Sequence, residues 1–427
     1  MSGYIEKSVI GPTRPPLKPA PRPDYAYVPP SGVTWTDSSG RRLNVVPAGR
    51  INRVGRAAED RQLTLAADNA PIRLIYGRDR IGGQVLNLLL YQDYLYVQLL
   101  WGYQLDSVES VTFNGTAVSE NITNYTGSQS TVDPWLQAAF AGQSPAVTYT
   151  DTLAGFAYTV IRMPKAKFTG GVEFAAVVKG RKVYDSRKDS TNGGSGTHRL
   201  ATPSTWEYST NPSLILADFL KDAVYGESRT LDWASVAAAA TWNDTLIGSP
   251  SEKHRILDGL TIDQVQDTAA VRDTLATYAG VWLAPRGATV YFVQDKTRTY
   301  DTTYAHASGE LASVDRVEKA DMTQAPTLVE VWYTDTTSTP WRERPARSDA
   351  VAGETVRRLS SVRLPGIQRH SQARREATER LNKLNLSDLS MSITVWDKGI
   401  AHELGDVVRI TLPFGGITAK DMRVVAP

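Results

Sequence analysis

GVEFAAVVKGRKVYDSRKDSTNGGSGTHR, residues 171–199, poses the question on which the fold turns. Lys179, Arg181, Lys182, Arg187 and Lys188 crowd together ahead of the glycine run Gly193, Gly194, Ser195, Gly196. The stretch is a phosphate cradle, a basic patch for nucleic acid, or a strand ending in a solvated loop. A Walker loop needs Gly-Lys-Ser/Thr after the glycines, and none follows. A nucleophile elbow, G-x-S-x-G, needs glycine at 197, where Thr197 stands. Phe174, Ala176 and Val178 share one strand parity, while Glu173, Ala175, Val177, Lys179 and Arg181 share the other. A half-buried strand with an outer face that turns basic accounts for most of these residues, and the Gly-Ser run becomes an exposed connector.

Working outward, the 427 residues suggest roughly three domains at about 150 residues each. With 41% apolar and 22% charged residues the chain is globular. A net charge of +2 argues against a dedicated nucleic-acid binder. The absence of cysteine excludes disulfides, thiol catalysis and cysteine-ligated metal. No secretory signal is visible at the N-terminus. Charge is uneven: residues 1–56 hold nine Lys or Arg against three acids, a local net of +6, leaving −4 for the remainder. The same residues hold nine of the 23 prolines. GPTRPPLKPAPRPDYAYVPP (11–30) is therefore expected to run extended, as an arm.

The body begins near residue 61. PIRLIYG places Ile72, Leu74 and Tyr76 on one face, RDRIGG reads as a turn, and Asn114-Gly115 marks a hairpin. Residues 61–205 read as a β-barrel domain with an insertion near 106–165. In TNPSLILADFLKDAVYG, Asn211 is an N-cap, Pro212 takes the first helical position, Leu216, Phe219, Leu220 and Val224 form a stripe, and Gly226 closes the helix. Further helices start at Asp232 and run through Val271, Leu275 and Tyr278 to Gly280. A hairpin turns at residues 285–288. Residues 206–295 thus form an α+β domain. The remainder, 296–427, reads as a second β domain with one charged helix over 368–386 that turns Ala373, Ala377, Leu381 and Leu384 inward.

Chemistry is sparse. The histidines His198, His254, His306, His370 and His402 include no i,i+4 pair and no H-E-x-x-H. Carboxylate pairs such as Asp185/Asp189, Asp258/Asp263 and Glu376/Glu379 are expected by chance among 45 acids. No catalytic, cofactor-binding or metal-binding residue is assigned, and no cofactor is expected.

Stretches in a fixed order carry a resemblance. VVKGRKVYD leads into WEYSTNPSLILADFLKDAVYG, then DTAAVRDTLATYAGVWLAPRGATVYFVQDK, TLVEVWYTD, and QARREATERLNKLNLSDLSMSITVWDKGIAHELGDVVRI. Together with PIRLIYGRDRIGGQVL they resemble the tip attachment, or central tail hub, proteins of long-tailed phages of the siphovirus, lambda-like type. The resemblance implies a mainly β, multi-domain tail hub with barrel-like β domains, α+β insertions and a small helical domain. It implies a homotrimer that closes the tail tube and opens for DNA ejection. Implied partners are a distal tail ring protein, the tape-measure C-terminus, an accessory hub protein, a central fibre and the host surface, with DNA passing unbound. The implied location is the distal tail of the virion, after synthesis in the bacterial cytoplasm. Alternative readings are the hub of a contractile tail or gene-transfer particle, and a hub that degrades cell wall. No hydrolase signature supports the last, so the chain is expected not to be an enzyme. Members of the family commonly carry fibronectin-like modules or a fibre after the hub; the sequence given ends at KDMRVVAP.

Overall fold

The computed structural model describes residues 3–4, 70–168, 173–248, 251–264, 266–351, 353 and 356–425. The arm expected over residues 1–60 lies outside them, except for the backbone of Gly3–Tyr4, which pairs antiparallel with Thr394 and Val395. The fold is mainly β, with five α-helices among the described residues: α1 Pro134–Ala141, α2 Pro212–Lys221, α3 Trp233–Asp244, α4 Thr268–Ala279 and α5 His370–Leu386.

Two antiparallel sheets, which form separate ladders and not one closed cylinder and are together termed the barrel, enclose the first core. One runs in the order Gly259–Ile262, Leu74–Gly82, Phe174–Lys179, Ser107–Phe113, Thr116–Ala117. The other runs Gln84–Tyr91, Tyr94–Tyr103, Phe156–Pro164, Ile122–Tyr125. Ile75, Ile81, Val97, Leu99, Trp101, Ile161, Phe174 and Val178 fill the space between them. RDRIGG is not a turn. Leu74–Gly82 remains paired with Phe174–Lys179 throughout Arg78 to Gly82, and the chain passes from one sheet to the other at Gly83, whose N–H reaches the Phe174 carbonyl at 2.8 Å. Within 106–165, the span read as an insertion, Ser107–Phe113 and Phe156–Pro164 are integral strands of the two sheets. Its helix α1 packs Leu136 against Tyr158 and Val160 on the outer side.

Strand Leu74–Gly82 is buried on both faces. Ile75 and Ile81 enter the barrel core, whereas Leu74 and Tyr76 enter a second core. That second core gathers α2, α3 and α4, the strand Leu328–Asp335, and Ala373, Ala377 and Leu381 of α5. The caps follow local chemistry: Asn211, Asp232 and Asp267 accept backbone N–H groups at the starts of α2, α3 and α4, and Gly280 ends α4 in the left-handed region. Helix α2 stops sooner than its apolar pattern suggests. The Asp222 carboxylate accepts from the N–H groups of Val224 (2.7 Å) and Tyr225 (3.2 Å), turning the chain at Lys221 and leaving Val224 79% exposed. Gly226 is therefore not the cap. Leu384, placed inward by the helical stripe of α5, is likewise exposed.

The C-terminal residues build a third core from Tyr304, Met391, Ile393, Val395, Val408 and Ile410. Leu389–Val395 pairs with Leu311–Lys319, while Val407–Thr411 lies between Thr302–Ala305 and Lys420–Arg423 in another sheet.

Gly77 is where the barrel meets the rest of the chain. It has φ +67, and a Cβ there would lie 2.3 Å from the Asp258 carbonyl oxygen. Gly77→Ala is expected to lower stability by about 1–3 kcal/mol through backbone strain alone, and more through the clash. Thermal unfolding of the variant against the parent checks it; an unchanged midpoint would contradict so close an approach at Gly77.

Candidate functional site

The basic stretch is the natural place to look for a site, because five cations close in sequence would attract phosphate if they were free. They are not free. Lys179 lies 3.5 Å from Glu109, Lys182 lies 3.7 Å from Asp106, and Lys188 pairs with Glu207. Arg187 holds Asp185 at 2.8 Å and Asp244 at 3.0 Å. Arg181 stands 3.6 Å from the buried Asp218. The exposed lysine pairs among these stabilise the fold little, about 0–1 kcal/mol each. Their effect here is to occupy each ammonium or guanidinium with a carboxylate of the same chain.

The glycine run is exposed, as expected, but it is a tied loop. Gly194 N–H bonds the Asp189 carbonyl at 2.9 Å, Ser195 N–H the Arg187 carbonyl at 2.9 Å, and His198 N–H the Lys188 carbonyl at 3.0 Å. These amides face their own backbone and form no nest for an anion. A Cβ on Gly194 would meet the Ser186 carbonyl oxygen at 2.3 Å, so glycine is required for the close approach. Asp189, 1% exposed, ties the loop together. Its carboxylate accepts from Thr191 Oγ1 (2.6 Å) and N (2.8 Å), Tyr184 Oη (2.8 Å) and Arg199 Nη1 (3.0 Å). The Thr191 hydroxyl leads these in holding the carboxyl down at about 2. His198 is buried beside it, and its Nδ1 accepts the Asp185 N–H at 3.2 Å.

Asp218, on α2, sits where barrel and helices meet. It accepts Tyr76 Oη at 2.7 Å from the barrel strand and Tyr225 Oη at 2.8 Å from the segment after α2. Burial pushes its carboxyl above the usual range, against the pull of Arg181 and the two hydroxyls. Burial also raises both tyrosines, which keeps their hydroxyls protonated as donors.

The other carboxylate pairs resolve in the same way. Glu376 and Glu379 on α5 clamp buried Arg255, the first through Nη1 at 2.7 Å and the second through Nη2, with His254 Nε2 3.3 Å from Glu379. Burial tends to raise the Glu379 carboxyl, but His254 and Arg255 outweigh it and hold it low. Asp258 and Asp263 stand at opposite ends of Gly259–Ile262, one buried and one exposed. His402 Nε2 lies 2.6 Å from Tyr304 Oη, His370 packs edge-on against Tyr333, and His306 is exposed. Among the described residues no group of three or more His, Asp or Glu could hold a metal ion, and no helix is long and apolar enough to cross a membrane. A groove of about 570 Å³ beside the start of α5 is lined by Glu252, His370, Ser371 and Arg375, and Glu252 is already bonded to Ser371 and Arg375. The arrangement joins segments of the chain.

Residues 270–426 match a family model described as a putative phage tail protein. No curated protein matches the chain. A solved structure titled the virion of a native gene transfer agent particle contains a chain similar over 88% of this chain and 84% of that one, at 18% identity and a TM-score of 0.61. That likeness establishes a shared fold. The crystal structure of the prophage MuSo2 43 kDa tail protein from Shewanella oneidensis covers 83% of this chain and 91% of that one at 10% identity, but its TM-score of 0.32 supports no comparison of folds.

Two outcomes are expected of the network. Asp218→Ala leaves two tyrosine hydroxyls buried without their acceptor and the Arg181 guanidinium without its counter-charge, and should cost about 3–5 kcal/mol, with Asp218→Asn costing less, as measured by denaturant unfolding. For Asp189 the folded carboxyl titrates near 2, below the roughly 3.9 of an unfolded chain. Its stabilisation is therefore present above pH 4 and is lost as pH falls towards 2. Limited proteolysis read by mass spectrometry should find Asp189→Ala cut by trypsin after Lys188 and Arg199 at neutral pH, where the parent resists.

Proposed function

We propose that this chain is a structural hub at the distal tip of a phage-type tail, where three copies form a ring that closes the tail tube. The observation that carries the reading is the fold shared along 88% of the chain with a chain of a gene transfer agent virion. The putative phage tail family match over residues 270–426 supports it. The same observation favours a second version, in which the tail belongs to a gene-transfer particle instead of an infectious phage. In either setting the hub docks a distal tail ring and the tape-measure C-terminus, with an accessory hub protein and a central fibre as further neighbours, and host-surface contact follows from that position. In this reading the Lys and Arg excess of the N-terminal arm serves a neighbouring ring or protomer, while the Gly3–Tyr4 backbone at its tip pairs with Thr394 and Val395 of the same chain.

The charge distribution suits a conduit. Proteins hold DNA chiefly by neutralising phosphates with Lys and Arg. A body that carries a net −4 beyond residue 56, with its densest cationic stretch internally paired, offers DNA little to hold during ejection. The carboxylate pairs serve as arginine clamps, which fits a protein that builds a surface and performs no hydrolysis.

Light scattering on the purified chain tests the ring: the expected mass is three times the 46.8 kDa of one chain. Gold-labelled antibody on intact particles tests its position, with label expected at the tail end away from the head. A monomer at micromolar concentration, or label along the tube, would sink the proposal.

A further inference from the structure

Two of the five cations in the basic stretch have a counter-charge but no hydrogen bond. Arg181 Nε stands 3.6 Å from Asp218 Oδ2, and Lys182 Nζ stands 3.7 Å from Asp106 Oδ1, both beyond bonding length. Among the described residues neither side chain donates to any acceptor, and Arg181 Nε is buried. The reason is local. Asp218 Oδ2 already accepts Tyr76 Oη and Tyr225 Oη, which takes up both of its lone pairs. Asp222, the other carboxylate that acts on Arg181, accepts the N–H groups of Val224 and Tyr225. The guanidinium itself is held over the Tyr225 ring, 4.9 Å from its centre. A buried donor left in this way marks a place where a small guest belongs.

Beside these two cations lies a cavity of about 30 Å³, lined by Gln104, Arg181, Lys182, Pro203 and Trp206. A single water needs about 10–15 Å³, so there is room for one small guest and none for a phosphate group. Trp206 gives its Nε1–H to the Arg199 carbonyl at 2.9 Å, and the Pro203 ring offers no polar atom. The polar lining is therefore a guanidinium and an ammonium, which only donate, and the Gln104 amide, which can turn its NH2 inward. A water here would find donors on every side and few acceptors for its own protons; an anion needs donors alone. Lys221 Nζ, 5.6 Å from the centre of the Trp206 ring, adds a third positive charge nearby. We propose that this cavity is a binding site for one monatomic anion, chloride or bromide, held between Arg181 and Lys182. The Lys182 side chain is 46% exposed, which gives ions in solution a way in. The bound anion braces the strand Lys182–Val183, paired with Glu207–Tyr208, against the segment that follows Tyr94–Tyr103, where the chain leaves the barrel for α2. Size is the selector: the basic stretch takes a halide and excludes the phosphates of DNA and nucleotides.

Two measurements on the full-length chain test the site. Crystals grown from sodium bromide should show an anomalous difference peak between Arg181 and Lys182. In solution, replacing gluconate by chloride at constant ionic strength and protein concentration should raise the thermal midpoint by about 1–3 °C along a saturating curve, as for a ligand that binds only the folded chain. Lys182→Gln, at a half-exposed position, should keep the circular dichroism of the parent and lose the chloride-dependent rise. A water in the cavity with no anomalous signal overturns the proposal. So does a bromide peak without the saturating rise (an adventitious ion only), or a chloride-dependent rise that survives intact in Lys182→Gln.

Discussion

Arg78 has both backbone groups taken by parts of the chain far away in sequence. Its N–H meets the Asp258 carbonyl at 2.5 Å, and its own carbonyl accepts Gln368 Nε2 at 2.7 Å. Asp258 in turn donates its N–H to the Gly366 carbonyl at 2.8 Å and accepts the Gln368 N–H on its carboxylate at 3.0 Å. Three segments thus meet here, the entry to Gly259–Ile262 bonding backbone to backbone with both the barrel strand and the connector into α5. Each segment has a glycine at the contact where a Cβ would collide: Gly77 at 2.3 Å from the Asp258 carbonyl oxygen, Gly259 at 2.0 Å from the Arg78 carbonyl oxygen, and Gly366 at 2.4 Å from Leu257. Buried backbone groups must find partners, and here each partner is supplied by another layer. The barrel core and the helical core are consequently built on opposite faces of one strand.

The charged network continues this division. Asp218 ties Tyr76 of the barrel to Tyr225 and α2, and Glu376 with Glu379 ties Arg255 to α5. Burying such charges is costly unless every lone pair and proton is met, so they do little for net stability. What they impose is geometry, since a guanidinium fork and a two-hydroxyl acceptor accept few arrangements. Under the proposed ring assembly such fixed geometry would matter, because an error in angle would be repeated at every copy.

The features legible in the sequence were those settled locally. Asn211-Pro212, Asp232 and Gly280 mark helix ends through their own side chains or backbone freedom, and the Asn114-Gly115 turn lies where its φ values of +47 and +78 place it. RDRIGG misleads because Asp79, buried and bonded to Thr261 Oγ1 at 2.7 Å, and Arg80 are polar residues inside a central strand, which reverses the usual sense of a polar run. Helix α1 also has a local signal, since Asp133 caps it and Pro134 takes its first turn. The partners of the basic stretch had no local signature at all. Glu109, Asp218 and Asp244 meet Lys179, Arg181 and Arg187 only after the chain has folded, so the cluster reads as a binding patch in one dimension and as a neutralised joint in three.

Native-state hydrogen exchange tests the crossing most directly. The amides of Arg78, Asp258 and Gln368 belong to three segments that would be independent if the chain were a string of separate units. A shared joint requires them to exchange through one common opening, with the same free energy and the same dependence on denaturant. Exchange of Asp258 and Gln368 through a lower-energy opening, while Arg78 stays protected with the barrel, would contradict it.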